Sequence, residues 1–415
     1  MRTLSVLLLA AFATLFAVPA NAAPVTRRLA VVVIQNGDTP NEQNQLADTA
    51  FLRNSFLGSS NSLVTWMSAI TGGQLTFVPA GDGLYTTEPS AELRDADKNG
   101  CHTNLATQTA ENHLKSLGVT WDSLAIVFDI AACGWGGLGQ VPGKLTWYPP
   151  RPSLSAIVHE LGHNQGYPHQ SKHDCASGNM SSCNANGHSG NTPMGGGGSG
   201  RGYSSVELMH SGWISAGSKV SASSPGTFNL TPLYAGSGTR VVEYKASSSL
   251  SYVIETRAPN GAVDSAINNP GVRIYAVTNG SYRNAPMINP GAGYFPAGAT
   301  LTDTANKLKI TVRSSSASGA TVQVASLTAP VSKSPSASPS ASASPSPSVS
   351  PSAEVSSDPV PDKESDLLDV TASPTIHRGP PLWLVLSATG VMMAMIIAGF
   401  STYAYRTRRR PRHRW

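Results

Sequence analysis

Apolar and polar positions alternate along this chain in two distinct rhythms. RRLAVVVIQ (Arg27 to Gln35) and SLAIVFDI (Ser123 to Ile130) are unbroken apolar runs of strand length, as expected of strands buried on both faces. Between them the period lengthens. NSLVTWMSAIT from Asn61 spaces its apolar residues as a capped amphipathic helix, QLTFV (Gln74 to Val78) resumes as a strand after the Gly72-Gly73 turn, and TNLATQTAENHLKSLG (Thr103 to Gly118) is helical with a glycine stop. Another helix is expected from Leu154 to Gln165. Ser153 precedes it as a cap, Leu154, Ile157, Val158 and Leu161 form its apolar stripe, and Gly166 ends it.

Beyond about Ala216 only strand-length runs appear, separated by Gly, Pro, Asn and Ser. KLKITVR sets Leu308, Ile310 and Val312 on one face and Lys307, Lys309 and Arg313 on the other, while TRVVEYK, SYVIETR, GVRIYAV and TVQVA have similar length. The expected fold class is therefore an α+β unit over residues 23–215, followed by an all-β, sandwich-like unit over 216–327 with an accessory or binding role.

Both ends read differently from the middle. Residues 1–22 carry Arg2, an apolar run from Leu4 to Val18 and the small-residue site Pro19-Ala20-Asn21-Ala22, which is the pattern of a cleaved secretory signal. Residues 328–380 are rich in Ser, Pro and Ala and cannot bury a core, so they are expected to form a stalk. Leu382 to Tyr405 holds 24 residues without a formal charge, about 36 Å as a helix against about 30 Å of hydrocarbon, so 381–405 is expected to span a membrane. Six arginines follow in 406–415, placing that tail on the cytoplasmic side.

This organisation changes the meaning of the net charge of +5. Setting aside the tail arginines and Arg2 leaves 22 basic against 24 acidic residues, so no nucleic-acid partner is implied. The expected placement is type I: secreted through the signal, anchored by the C-terminal helix, folded part outside, on the surface of a bacterium with a single membrane. An even set of cysteines in an exported chain favours two disulfides among Cys101, Cys133, Cys175 and Cys183. Of the three connectivities, pairing in sequence order closes the shortest loops; free buried thiols are the alternative.

The chemistry concentrates in IVHELGHNQGYPH. His159 and His163 are four apart on one helix face, so two imidazoles can share a metal, and Glu160 lies beside them where it can hold a water. Glycine at 166 accepts a left-handed backbone, letting Tyr167-Pro168-His169 turn back with a third imidazole. Three neutral nitrogens leave one tetrahedral position open, the arrangement that distinguishes catalytic from structural zinc. The remaining histidines, His102, His113, His173, His188 and His210 among them, stand alone or in loops, and their spacing assigns them no ligand role.

HELGHNQGYPH matches HExxHxxGxxH, and over roughly Arg28 to Ile214 the chain resembles the metzincin metallopeptidases. That resemblance implies a mixed sheet with an active-site helix, one catalytic Zn2+ held by His159, His163 and His169, and Glu160 as general base. It also implies a methionine in a tight turn beneath the metal. NTPMGG offers Met194, with Met180 as the rival. YSSVELMHSGWI adds a capping box, Ser204 with Glu207, and the combination looks like the gametolysin-type branch of secreted or surface endopeptidases. In such an enzyme GGLGQVPGKLTWY (Gly136 to Tyr148) would supply an edge strand for an extended substrate. Gly196 stands two residues past Met194, so the tyrosine ligand of some metzincins is missing. The function expected is zinc-dependent cleavage of extracellular proteins or peptides. A surface adhesin with a non-catalytic metal domain is the alternative, against which an intact Glu160 argues.

Overall fold

A computed structural model describes residues 23–35, 47–90, 92–93, 101–129, 133–261 and 263–327. The expected signal, stalk, spanning segment and basic tail lie outside the described residues. Among the described residues, no helix is long and apolar enough to cross a membrane.

The fold is mixed, with three sheets and few helices. The first sheet is built from β1 (Val25–Ile34), β2 (Leu75–Thr86), β3 (Ser123–Phe128), β4 (Leu138–Gly139) and β5 (Leu145–Tyr148), in the order β2-β1-β3-β5-β4. Its strands run parallel except β4, which turns back antiparallel on β5 at the edge. Both faces of β1 are covered, which explains its unbroken apolar run. Ala30, Val32 and Ile34 meet Ala106, Ala110 and Leu114 of α3 (Thr103–Ser116). Leu29, Val31 and Val33 share a core with residues of α1 (Thr49–Leu57), α2 (Leu63–Thr71) and α4 (Leu154–Asn164).

Local chemistry sets these boundaries. Ser62 and Thr65 form a reciprocal capping box on α2, which stops at Gly72 in the left-handed region. Ser153 caps α4 by accepting from the Ala156 N–H at 3.2 Å. Helix α1, capped by Asp48, is an element that the reading of periodicity passed over. It is only nine residues long and buries just Leu52 and Phe56, too little to establish a period.

The second sheet contains β6 (Ser171–Cys175), β7 (Cys183–His188), β8 (Lys219–Ala222), β10 (Val241–Lys245), β11 (Leu250–Arg257), β12 (Gly271–Thr278) and β13 (Met287–Asn289), in the order β7-β6-β13-β12-β11-β10-β8. The third is β14-β15-β16-β9, formed by β9 (Gly226–Leu230), β14 (Thr300–Asp303), β15 (Leu308–Ser316) and β16 (Gly319–Ser326). Alternate residues of the second sheet reach two different cores. Val242, Tyr252, Ile254 and Ile274 pack with Leu301, Ile310, Val312 and Val322 of the third sheet. Val241, Val253, Tyr275 and Val277 join Ile157, Val158, Leu161 and Met194 instead.

The boundary expected at 215/216 is therefore not a boundary between sheets. β6 and β7 precede it, yet β6 pairs in parallel with β13, Lys172 opposite Met287 and Asp174 opposite Asn289. The physical reason is backbone satisfaction: β13 would otherwise leave a row of unpaired donors and acceptors. Both disulfides join cysteines in sequence order, Cys101 with Cys133 and Cys175 with Cys183, and none of the four is free.

Candidate metal centre

His159 and His163 project from one face of α4, and the turn after it returns His169 to meet them. Gly166 makes that turn at φ +92°, a backbone that a side chain would strain. Ring centroids are 4.9 Å apart for His159 and His163, and 5.1 Å from each of these to His169. A ligand atom from each of the three lies within 4.8 Å of the others.

Backbone carbonyls decide which nitrogen each ring presents. His159 Nδ1 lies 2.8 Å from the Pro193 carbonyl and His163 Nδ1 2.7 Å from the Tyr167 carbonyl. A carbonyl only accepts, so both Nδ1 atoms carry the proton and both Nε2 lone pairs are left for a ligand. Burial lowers the pKa of all three rings, which keeps them neutral. Neutral imidazoles at this spacing are a donor set suited to Zn2+.

Glu160 is buried beside this triangle, and its carboxylate makes no hydrogen bond or ion pair with the described residues. Burial pushes its pKa up to about 7. Edge strand β4 lies directly against it: a Cβ on Gly137 would fall 2.6 Å from Glu160 Cγ, and one on Gly139 2.8 Å from His163 Cβ. The glycines of the GGLG stretch permit this approach. Asn164 then fastens the end of α4 to the same hairpin, donating to the carbonyls of Gln140 and Leu145 at 3.0 and 2.9 Å.

Met194 is buried in a short 3-10 turn, Pro193–Gly195, under α4. A Cβ on Gly162 would sit 2.2 Å from the Met194 sulfur, so the glycine inside HELGH makes room for this turn. The glycine between Leu161 and His163 is the sequence signal of this close approach. Met180, the rival, lies elsewhere, against Cys183. The Met194 turn is tied to α5 (Ser205–His210) through one carboxylate: Glu207 closes the capping box on Ser204 and also accepts from the Thr192 hydroxyl at 2.7 Å.

Of the other histidines, His102 caps α3 and His210 lies near Tyr167. His188, at the end of β7, is different. Its ring stands 5.0 Å from that of His169. Sequence spacing missed it because β7 reaches the site only by pairing with β6. Residues from beyond 216 also shape the site: Arg283 donates to the Gly166 carbonyl at 2.7 Å, holding the turn that aims His169.

No protein-family model matches the chain, and no curated protein matches it. Among solved structures, wild-type OgpA from Akkermansia muciniphila is similar at 11% identity, over 69% of this chain and 88% of that one, with a TM-score of 0.29. Catalytically inactive OgpA in complex with an O-glycopeptide (glycodrosocin) substrate is similar at 9% identity, over the same shares, with a TM-score of 0.28. A chaperone–substrate complex is similar at 18% identity over 35% of this chain, with a TM-score of 0.22. This chain spans about a quarter of that one, 24%. With TM-scores this low, the site's own geometry is the ground for any functional reading.

Proposed function

We propose that the chain is a cell-surface zinc endopeptidase of the gametolysin-like branch of the metzincins, hydrolysing peptide bonds of extracellular proteins. One observation carries this reading: three imidazoles, two of them with Nδ1 on a backbone carbonyl and Nε2 available, converge beside a buried carboxylate that has no hydrogen-bond partner among the described residues. Bound by His159, His163 and His169, Zn2+ would supply Lewis acidity toward a water and the scissile carbonyl. Glu160 accepts the proton of that water and delivers it to the leaving amine. The covering β4 backbone shields Glu160 from bulk water, and the outer edge of β4 offers main-chain groups to an extended peptide. Export by residues 1–22 and anchoring by 381–405 are part of the same proposal.

The test is incubation of the full-length protein with unfolded casein. Cleavage is expected, abolished by a zinc chelator and restored by added Zn2+. The Glu160→Ala variant should bind zinc stoichiometrically and cleave nothing. No cleavage by zinc-loaded protein, combined with tight binding to a surface polymer, would instead favour the adhesin.

A further inference from the structure

The loop from Ser189 to Asn191, which joins His188 to the Met194 turn, also walls a cavity of about 270 Å³. Arg201, Asn268, Arg273 and Tyr294 line it too, and no carboxylate does. Arg273 comes from β12 and is only 3% exposed. Its neighbour Arg257 is equally buried but is held by two carboxylates, those of Asp264 and Glu255. Among the described residues no carboxylate contacts Arg273. One Nη donates to the Gly271 carbonyl at 2.7 Å, the other reaches Asn191 Oδ1 at 3.4 Å, the guanidinium lies 5.3 Å over the Tyr294 ring, and Nε has no hydrogen-bond partner there.

Glu255 stands directly opposite Arg273 in the sheet, yet it is already committed. It accepts from the Ser205 N–H at 2.6 Å, the Tyr275 hydroxyl at 3.1 Å and Arg257 at 3.3 Å. Burial, together with the nearby Arg257, lowers the Arg273 pKa to about 10 against the opposing pull of the Glu255 and Asp264 carboxylates, so it remains a cation at neutral pH. Among the described residues, Arg201, half-buried on the same cavity, donates only to the carbonyls of Gly197 and Ala266. Enclosing a guanidinium with no carboxylate in contact is costly. What this cavity lacks is an anion.

We propose that the cavity is a carboxylate-binding subsite, occupied by an acidic side chain of the peptide that the metal site cleaves. A guanidinium presents its donors as a planar fork that matches a carboxylate, and Asn268 adds an amide at the rim. The shared Ser189–Asn191 loop connects the cavity to His188, whose ring faces His169. The substrate part of this assignment rests on the peptidase reading; the anion part does not.

The test uses the full-length protein silenced by Glu160→Gln, titrated calorimetrically with N-acetylglutamate α-amide, its glutamine counterpart and inorganic phosphate. The glutamate probe should bind and the glutamine probe should not. Arg273→Gln should weaken binding about tenfold or more. If that variant does not fold, Arg201→Gln, at a half-buried position, carries the test with a loss of the same order. No binding of the glutamate probe, or unchanged affinity in Arg201→Gln, overturns the proposal. Phosphate binding that the glutamate probe does not match overturns the substrate assignment and leaves a site for a free anion. Because hydrolysis is already silenced, failure of the peptidase reading leaves this measurement intact. In the active protein, a peptide bearing Glu should show a lower KM than its Gln counterpart, and Arg201→Gln should erase the difference.

Discussion

Two polar clusters are buried near the Met194 turn, and they are completed in opposite ways. Around Arg257 the partners are supplied internally: Asp264 and Glu255 hold the guanidinium, Tyr275 and the Ser205 N–H complete Glu255, and the Gly202 N–H donates to Asp264. Around His159 the outward nitrogens are tied to carbonyls, but the inward ones and the Glu160 carboxylate have no hydrogen-bond partner among the described residues. Both clusters incur desolvation. The first is closed by the chain's own groups; the second leaves nitrogen lone pairs available to a ligand. Function is legible here as a deficit of partners, and the comparison can be broken from either side.

The largest effect is expected at the open cluster. Glu160→Gln should lower kcat by about 10² to 10⁴, the usual contribution of a positioned general base, with zinc content unchanged by elemental analysis. Loss of zinc alongside activity would make Glu160 part of the binding set instead. At the closed cluster, Asp264→Ala leaves a buried guanidinium with Glu255 as its one carboxylate and should cost about 3–5 kcal/mol of stability in a urea titration. Activity per folded molecule should survive, and a specific loss of activity would erase the distinction between the clusters.

Glu207 lies between the two, and its response to pH sharpens the contrast. Burial raises its pKa from 4.5 to about 7 in the folded chain. Between these values the folded chain keeps a proton that the unfolded chain has released. Stability therefore falls as pH rises from about 4.5 to about 7 and levels off above, with Glu207 contributing up to about 3 kcal/mol. Glu207→Gln should remove that share, read as a flatter dependence of Tm on pH over this window. Glu160 titrates over the same range, so some slope remains. Smallest is Gly162→Ala, which drives a methyl against the Met194 sulfur and should cost about 1–3 kcal/mol, seen as a lower Tm. An unchanged Tm would show that the turn yields freely.

Much of the candidate site was readable before any fold was known. Ser153, the apolar stripe and Gly166 delimited α4, and i, i+4 spacing alone places His159 and His163 on one face, because helix geometry is local. The capping box of Ser204 with Glu207 was local in the same way. The run RRLAVVVIQ announced a strand covered on both sides, since burial leaves its mark on composition.

Other features depended on partners distant in sequence. No periodicity in SKHDC tells that it pairs with MIN more than a hundred residues later, because strand pairing is selected by backbone groups and those are the same in every residue. Consequently the division at 215/216 followed composition, while the second sheet crosses it. The sequence by itself determined α4 and the doubly covered strands β1 and β3, the three imidazoles and the carboxylate between two of them. Only tertiary structure decided that Glu160 has no hydrogen-bond partner among the described residues, that His188 joins His169 and that Arg273 is buried with no carboxylate in contact there. Those are outcomes of long-range packing, and desolvation acts on a side chain only once its neighbours have arrived.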